Sequence, residues 1–114
     1  MKHTLLIITA LMLVVGCGES ESVVDLKARI NYRDGQFTIT NNDTFDWINV
    51  KFEINKEYTI RVDRINAGEV YTVGSMQFTK SDGAKFNPFT HSPHDFFIWA
   101  KTREGKRGMW LGAL

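Results

Sequence analysis

Beyond residue 23, apolar and polar side chains alternate in short stretches that are separated by turn residues. Alternation with a period of two places successive side chains on opposite faces of a β-strand. Turn signals recur roughly every eight to twelve residues, which is the spacing of an all-β sandwich or barrel. The pattern predicts one small antiparallel β-sandwich over residues 23–114, with a small closed β-barrel as the alternative.

The alternation defines seven strands and one particularly clear apolar face. The predicted strands cover residues 24–32, 37–40, 47–54, 58–63, 69–74, 96–101 and 108–111. Asp34-Gly35 predicts a two-residue hairpin, because both positions tolerate a positive φ. The apolar face of the third strand comprises Ile48, Val50, Phe52 and Ile54. Trp47 falls on the opposite, polar face of that strand, so the pattern does not place it in the core.

Residues 76–95 break the alternation and contain both prolines, Pro88 and Pro93. A connection of this length is uncommon in a compact domain and often has a function. Its aromatic residues, Phe78, Phe86 and Phe89, predict a segment that folds back over the core. The following strand is apolar on both faces, so the pattern does not decide whether Phe96 or Phe97 points inward. We expect this strand to be central in its sheet or covered by the long connection.

The features of residues 35–74 resemble those of bacterial immunoglobulin-like sandwiches of the periplasm and cell surface. The shared elements are a strand ending in Asn41-Asn42, an alternating strand, and Ala67-Gly68-Glu69 before a later strand. The inter-sheet cysteine pair of antibody domains is absent. The resemblance implies an architecture and no particular activity.

The first seventeen residues carry a targeting pattern. A basic start is followed by an apolar run over residues 5–15. The run is shorter than the roughly 20 residues needed to span a bilayer and has the length of a secretory signal core. Val14-Val15-Gly16-Cys17 resembles the lipobox of bacterial lipoproteins, a family in which a peptidase cleaves before the cysteine and the thiol carries a diacylglyceryl group.

The lipobox resemblance implies a signal peptide over residues 1–16, lipidation of Cys17 and a flexible tether over residues 17–22. Because Gly18 rather than Asp follows the cysteine, it also implies a cell-envelope location, in a Gram-negative host the outer membrane facing the periplasm. Cys17 is the only cysteine, so no intramolecular disulfide can form.

The net charge limits the classes of partner that we expect. Cleavage after residue 16 would remove one of the 14 basic residues, and the remaining 14 − 1 = 13 would balance the 13 acidic ones. A neutral domain gains little from counterion release, so no nucleic-acid partner is expected. Neutrality also predicts poor polybasic membrane binding. Membrane contact is therefore expected through the lipid anchor, with an envelope protein or glycan as the candidate partner.

The chain offers little catalytic chemistry. His91 and His94, with Asp95, supply ligand types that zinc or copper accepts. Pro93 between the histidines prevents the helical spacing that would bring them together, so we expect neither a metal nor a cofactor. No Gly-x-Ser-x-Gly motif is present, and the cysteine is assigned to the lipid. We therefore expect a non-enzymatic binding or structural module.

Two groups of residues are candidate contacts. The first group lies on the long connection and the strand after it, and its candidate residues are Phe86, Phe89, His91, His94 and Trp99. In the alternative interpretation, the aromatic residues of the connection only cap the core. The second follows from a resemblance. Residues 81–86 and 97–101 are similar to the signature of membrane-bound lysozyme inhibitors, which implies that Ser81 and Lys101 contact the catalytic carboxylates of a muramidase.

Overall fold

The computed structural model describes residues 22–114, so the predicted signal peptide, Cys17 and nearly all of the tether lie outside the described residues. The described strands are β1 (Val24–Asp25), β2 (Ala28–Arg33), β3 (Gln36–Asn41), β4 (Trp47–Ile54), β5 (Tyr58–Ile65), β6 (Val70–Gly74), β7 (Asp95–Lys101) and β8 (Arg107–Ala113). A short 3-10 turn, Ser75–Gln77, follows β6. Within residues 22–114, no helix is long and apolar enough to cross a membrane.

The strands form two sheets that pack face to face. One sheet has the order β1-β8-β7-β4-β5, and the other has the order β2-β3-β6. All neighbours are antiparallel except β1 and β8, which are parallel. The predicted all-β sandwich is confirmed, and the two separate sheets exclude the closed barrel. The chain crosses between the sheets four times, after β1, β3, β5 and β6.

Aromatic rings from both sheets meet in the core. The Phe37 ring of β3 lies 4.9 Å from the Phe96 ring of β7 and 5.6 Å from that of Phe78, measured between centroids. The Phe52 ring of β4 lies 5.5 Å from that of Phe96. All four side chains are fully buried. Since burial of a phenylalanine contributes about 1.5–3 kcal/mol, this cluster is a main source of stability.

The predicted hairpin at Asp34-Gly35 is confirmed. Its φ angles are 52° and 77°, as a two-residue turn that matches the twist of the strands requires. Asn55 and Lys56 also have positive φ angles, 53° and 63°, in the turn between β4 and β5.

The first predicted strand is wrong, because residues 24–32 form two strands in different sheets. The Leu26 amide still donates to the Met109 carbonyl of β8, at 3.0 Å. The next residue already contacts the other sheet, because the Lys27 carbonyl accepts the Asn42 amide at 2.9 Å. Leu26 lies so close over β8 that a Cβ on Gly108 would be 2.5 Å from its Cδ2 atom. The alternation continues through this crossover, so the sequence pattern hides it.

The predicted orientation of Trp47 is also wrong, since its side chain is fully buried. Asn49 has a φ of 51°, and the pairing of β4 with β7 shifts by one residue between Ile48 and Lys51. The extra residue is a β-bulge, and it reverses the inward–outward alternation. Trp47 and Val50 therefore both face the core, whereas Ile48 is only half-buried.

Strand β7 is central, between β4 and β8. Phe96 and Ile98 are fully buried on its inward face, whereas Phe97 and Trp99 are half-buried on its outer face. The long connection before β7 folds back as predicted at Phe78 and Phe86, which are fully buried, but the prediction is wrong for Phe89, which is 88% exposed.

Candidate functional site

A groove separates the β2–β3 hairpin from the long connection. Its volume is about 540 Å³, within the range of roughly 300–1,000 Å³ that is common for ligand sites. The residues lining this hairpin groove are Tyr32, Asp34, Gly35, Gln36, Gly74, Ser75, Met76, Pro88 and Phe89. Most of the wall is apolar or backbone, and the polar side chains lie at the hairpin.

Phe86 anchors the wall that the long connection contributes. Its side chain is fully buried, its amide donates to the Phe78 carbonyl at 2.9 Å, and its ring meets that of Tyr58 edge-on at 5.2 Å. Thr79 pairs with both Thr59 and residue 85, so the connection is tied to the edge of β5. Phe86 therefore holds the connection in place and is not available for contact with a partner.

Asn87 then turns the chain so that Phe89 projects into solvent. The Asn87 side-chain oxygen accepts the Phe89 amide at 2.9 Å, and the Asn87 carbonyl accepts the amides of Thr90 and His91 at 3.2 and 3.0 Å. Asparagine favours such turns because its side chain replaces a backbone acceptor. Phe89 is 88% exposed. A hydrogen-bonded turn thus presents an aromatic ring beside the hairpin groove.

The floor of the groove is formed by Gly35 and Ser75. The Ser75 amide donates to the Gly35 carbonyl at 2.8 Å. The positive φ of Gly35, 77°, is one that side chains rarely adopt. Ser75 is fully buried, and within residues 22–114 its hydroxyl has no hydrogen-bond partner. Met76 follows it and is 52% exposed, so the floor carries a second accessible apolar side chain.

Charge at the groove is confined to the hairpin tip. The Asp34 carboxylate lies 3.9 Å from the Arg33 side chain, and both are almost fully exposed. Such a surface pair contributes little to stability. The groove can therefore accept an apolar or aromatic group against Phe89 and Met76, with polar groups of the ligand directed toward the hairpin.

Of the five predicted contact residues, only Phe89 lines the groove. His91 and His94 are exposed; His91 Nδ1 lies 2.8 Å from the Thr90 hydroxyl, and the His94 amide donates to the Asn55 side chain at 2.7 Å. Trp99 lies on the outer face of the five-stranded sheet, opposite Lys51. Residues 22–114 contain no group of three or more histidine, cysteine or acidic side chains that could hold a metal ion.

Ser81 and Lys101 are not brought together. Ser81 lies in an exposed turn closed by the Gly83 amide, which donates to the Lys80 carbonyl at 2.8 Å. The pairing Thr79–Thr59–Glu53–Phe97 places this turn three strands away from β7. Lys101 lies four residues after Phe97 on β7. Thr79 and Lys101 are therefore separated by about 14 Å across the sheet and by about 13 Å along the strands.

Sequence reasoning missed Tyr32 and Ser75, and it did not single out Met76, which begins the long connection. Ser75 and Met76 follow the end of β6, and nothing in their types distinguishes them from an ordinary connection. The hairpin at Asp34-Gly35 was predictable, but its position opposite Pro88 and Phe89 depends on how the two sheets pack. No family model matches this chain, and no curated protein or solved structure is significantly similar to it.

Proposed function

We propose that this protein is a lipid-anchored component of the bacterial cell envelope that acts as a non-enzymatic binding module. The targeting pattern that ends at Cys17 supports the anchor, and in a Gram-negative host the anchor would lie in the outer membrane facing the periplasm. The hairpin groove supports the binding role. A rigid β-scaffold that presents residues on loops is a frequent arrangement for recognition.

The observation that carries the proposal is the position of Phe89. The long connection buries Phe78 and Phe86 completely, yet it directs Phe89 into solvent at the groove, where 88% of the residue is exposed. Burial of this ring would contribute about 1.5–3 kcal/mol to an interface. The Asn87 turn already fixes the backbone around it, so less conformational entropy is lost on binding.

The groove favours binding over catalysis. Nucleophilic or acid–base chemistry needs a nucleophile or acid within hydrogen-bond reach of a second group. Among the described lining residues, Asp34 is the only ionisable carboxylate, and no histidine, cysteine or lysine lines the groove. Ser75 has no base beside its hydroxyl in the described structure. The partner class that fits this surface is an envelope protein or a glycan with an apolar face.

Site-specific photocrosslinking of the full-length protein in its own envelope tests the groove. A benzophenone amino acid is placed at Phe89 and, as a matched control, at Val70, which is 58% exposed on β6 outside the groove. We expect a discrete crosslinked product from position 89 and none from position 70. The Met76→Ser variant should weaken that product without lowering the melting temperature. Equal crosslinking from both positions would reject the groove as the binding site.

A further inference from the structure

The outer face of the five-stranded sheet gathers cationic side chains into two adjacent rows. Strand pairing aligns Lys101, Ile48 and Arg64 in one row. It aligns Trp99, Lys51 and Arg61 in the next row. Lys101, Arg61 and Arg64 are exposed, and Lys51 is half-buried. We call this surface the cationic face.

An apolar strip adjoins the cationic face. The Trp99 and Phe97 rings stack with centroids 5.0 Å apart and planes at 24°. On β8, Met109 pairs with Trp99, and Leu111, which is 57% exposed, pairs with Phe97. The surface thus combines positive charge with aromatic and aliphatic groups, a combination that suits the boundary between lipid headgroups and acyl chains.

Acidic groups share this outer face, but most of them lie around the apolar strip and not within the two cationic rows. Asp25 pairs with Met109, Glu53 pairs with Phe97, and Asp95 lies two residues before Phe97 on the same side of β7; Asp63 lies between the two arginines of β5. Neither the Arg33–Asp34 nor the Arg103–Asp46 ion pair involves a residue of the cationic face. The four cations of the two rows outnumber Asp63, the acidic residue that lies between them, so this part of the sheet carries net positive charge.

The opposite side of the sandwich is different. The outer face of the three-stranded sheet carries neutral polar side chains, namely Asn31, Thr38, Thr40 and Thr72. Its cations are Arg29 and Arg33, both on the edge strand β2. The two faces therefore differ in the arrangement of their cations: four cluster around Lys51 on one face, whereas the two arginines of the other lie along a single edge strand.

The predicted anchor enters the domain at the edge of the same sheet. Six residues lie between Cys17 and Val24, and the seven steps from one Cα to the next span at most about 24 Å when fully extended. Val24 and Asp25 pair with β8, directly beside the apolar strip. A lipid on Cys17 would keep this edge close to the membrane surface and raise the effective concentration of headgroups around it.

We propose that the cationic face and its apolar strip dock on the anionic surface of the membrane that holds the lipid anchor. This inference rests on the proposed lipidation of Cys17. Each lysine or arginine near an anionic surface strengthens its binding about fivefold, and Trp99 adds an aromatic side chain of the type enriched at the interface. Docking would fix the orientation of the sandwich and leave the hairpin tip free for a partner.

Fluorescence quenching in reconstituted vesicles tests this orientation. The full-length lipidated protein is labelled at Leu111→Cys or at Val70→Cys, positions with matched exposure of 57% and 58% on opposite sheets. A lipidated Cys17 has no free thiol, so each variant carries one label. The vesicles contain phosphatidylcholine alone or phosphatidylcholine with phosphatidylglycerol, together with a headgroup-spin-labelled lipid. We expect strong quenching only at position 111, only with phosphatidylglycerol, and less at high salt.

Charge reversal provides the second arm. Arg61→Glu/Arg64→Glu should lower the ratio of docked to undocked protein at least about 25-fold, a factor of about five for each lost cation. The matched control Arg29→Glu/Arg33→Glu reverses two exposed arginines on the other sheet and should leave quenching unchanged.

The outcomes separate the two proposals. Acyl groups on Cys17 by mass spectrometry, with equal quenching at positions 111 and 70, would overturn docking and leave the anchor intact. Quenching that does not depend on phosphatidylglycerol, or that the Arg61→Glu/Arg64→Glu change does not reduce, would also overturn docking. Either result would favour an acidic protein as the ligand of this face. A chain without acyl groups would overturn the anchor and this inference together.

Discussion

The indole Nε1 of Trp47 donates a hydrogen bond to the Asp43 carboxylate at 3.0 Å, in a buried corner between the two sheets. The same carboxylate oxygen accepts the Lys27 amide at 3.0 Å. Asn41 completes the corner: its side-chain oxygen accepts the Asp43 amide at 2.9 Å, and its Nδ2 donates to the Ile65 carbonyl at 3.1 Å. The side chains of Asn41 and Asp43 thus help to fasten three crossings between the sheets, those from β1 to β2, from β3 to β4 and from β5 to β6.

Asp43→Ala should lower the free energy of unfolding by about 2–4 kcal/mol, because two donors would lose their shared acceptor. Asp43→Asn keeps one side-chain oxygen in the same position and should cost about 1 kcal/mol. Urea unfolding followed by Trp fluorescence measures both. Equal losses in the two variants would show that the negative charge, and not the hydrogen-bond geometry, stabilises the corner.

The buried hydroxyl of Ser75 has no hydrogen-bond partner among the described residues, so its removal should not weaken the fold. We expect Ser75→Ala to leave the free energy of unfolding unchanged or to raise it by about 1 kcal/mol. Thr102→Val is the matched control, since the buried Thr102 hydroxyl accepts the Lys106 amide at 3.1 Å; this variant should lose about 1 kcal/mol. A comparable loss for Ser75→Ala in urea titrations would contradict the assignment.

The bulge at Asn49 depends on a backbone conformation that β-branched residues avoid, with φ at 51°. Asn49→Val should therefore cost about 1–2 kcal/mol of unfolding free energy, whereas Asn49→Gly should be close to neutral. Asn31→Val, at an exposed and regular position of β2, is the control and should change stability little. If both valine variants behave alike in denaturant unfolding, the bulge is not under this constraint.

The same bulge shows why part of the fold could be predicted and part could not. The alternation of β3, the continuous apolar run of β7 and the Asp34-Gly35 hairpin are local patterns, and each corresponds to a described element. Trp47 was assigned to the wrong face because one extra residue in β4 reverses the alternation. Asn49 tolerates a positive φ, but many asparagines in strands remain extended, so its type alone did not reveal the bulge.

The candidate site was less predictable than the fold, because it depends on distant segments that meet only after the sheets pack. The long connection was recognisable from its length and prolines, and Phe89 within it from its type. Its partner wall at the β2–β3 hairpin lies about 50 residues earlier in the chain. The cationic face is also invisible in the net charge, since it arises from strand order and from the register of Lys51 between Arg61 and Trp99.

The separation of Ser81 from Lys101 leads us to expect no inhibition of lysozyme. A single inserted loop could not present both side chains, because the register places their segments on distant parts of the sheet. The purified protein is assayed for slowing of cell-wall lysis by lysozyme, with the Lys101→Ala variant measured in parallel. Potent inhibition that this variant abolishes would establish the inhibitor function and replace the binding role proposed for the hairpin groove.

Lipidation of Cys17 predicts a change in how the whole protein partitions. In a bacterial host, the native chain should enter the detergent phase of Triton X-114 and incorporate labelled palmitate, because two or more acyl chains exceed the single chain that anchors only marginally. Cys17→Ala removes the only thiol that can carry the diacylglyceryl group and should abolish the palmitate label and the partitioning. Gly18→Ala, beside the cysteine, is the control and should keep both. Palmitate incorporation that survives Cys17→Ala would reject the lipoprotein assignment.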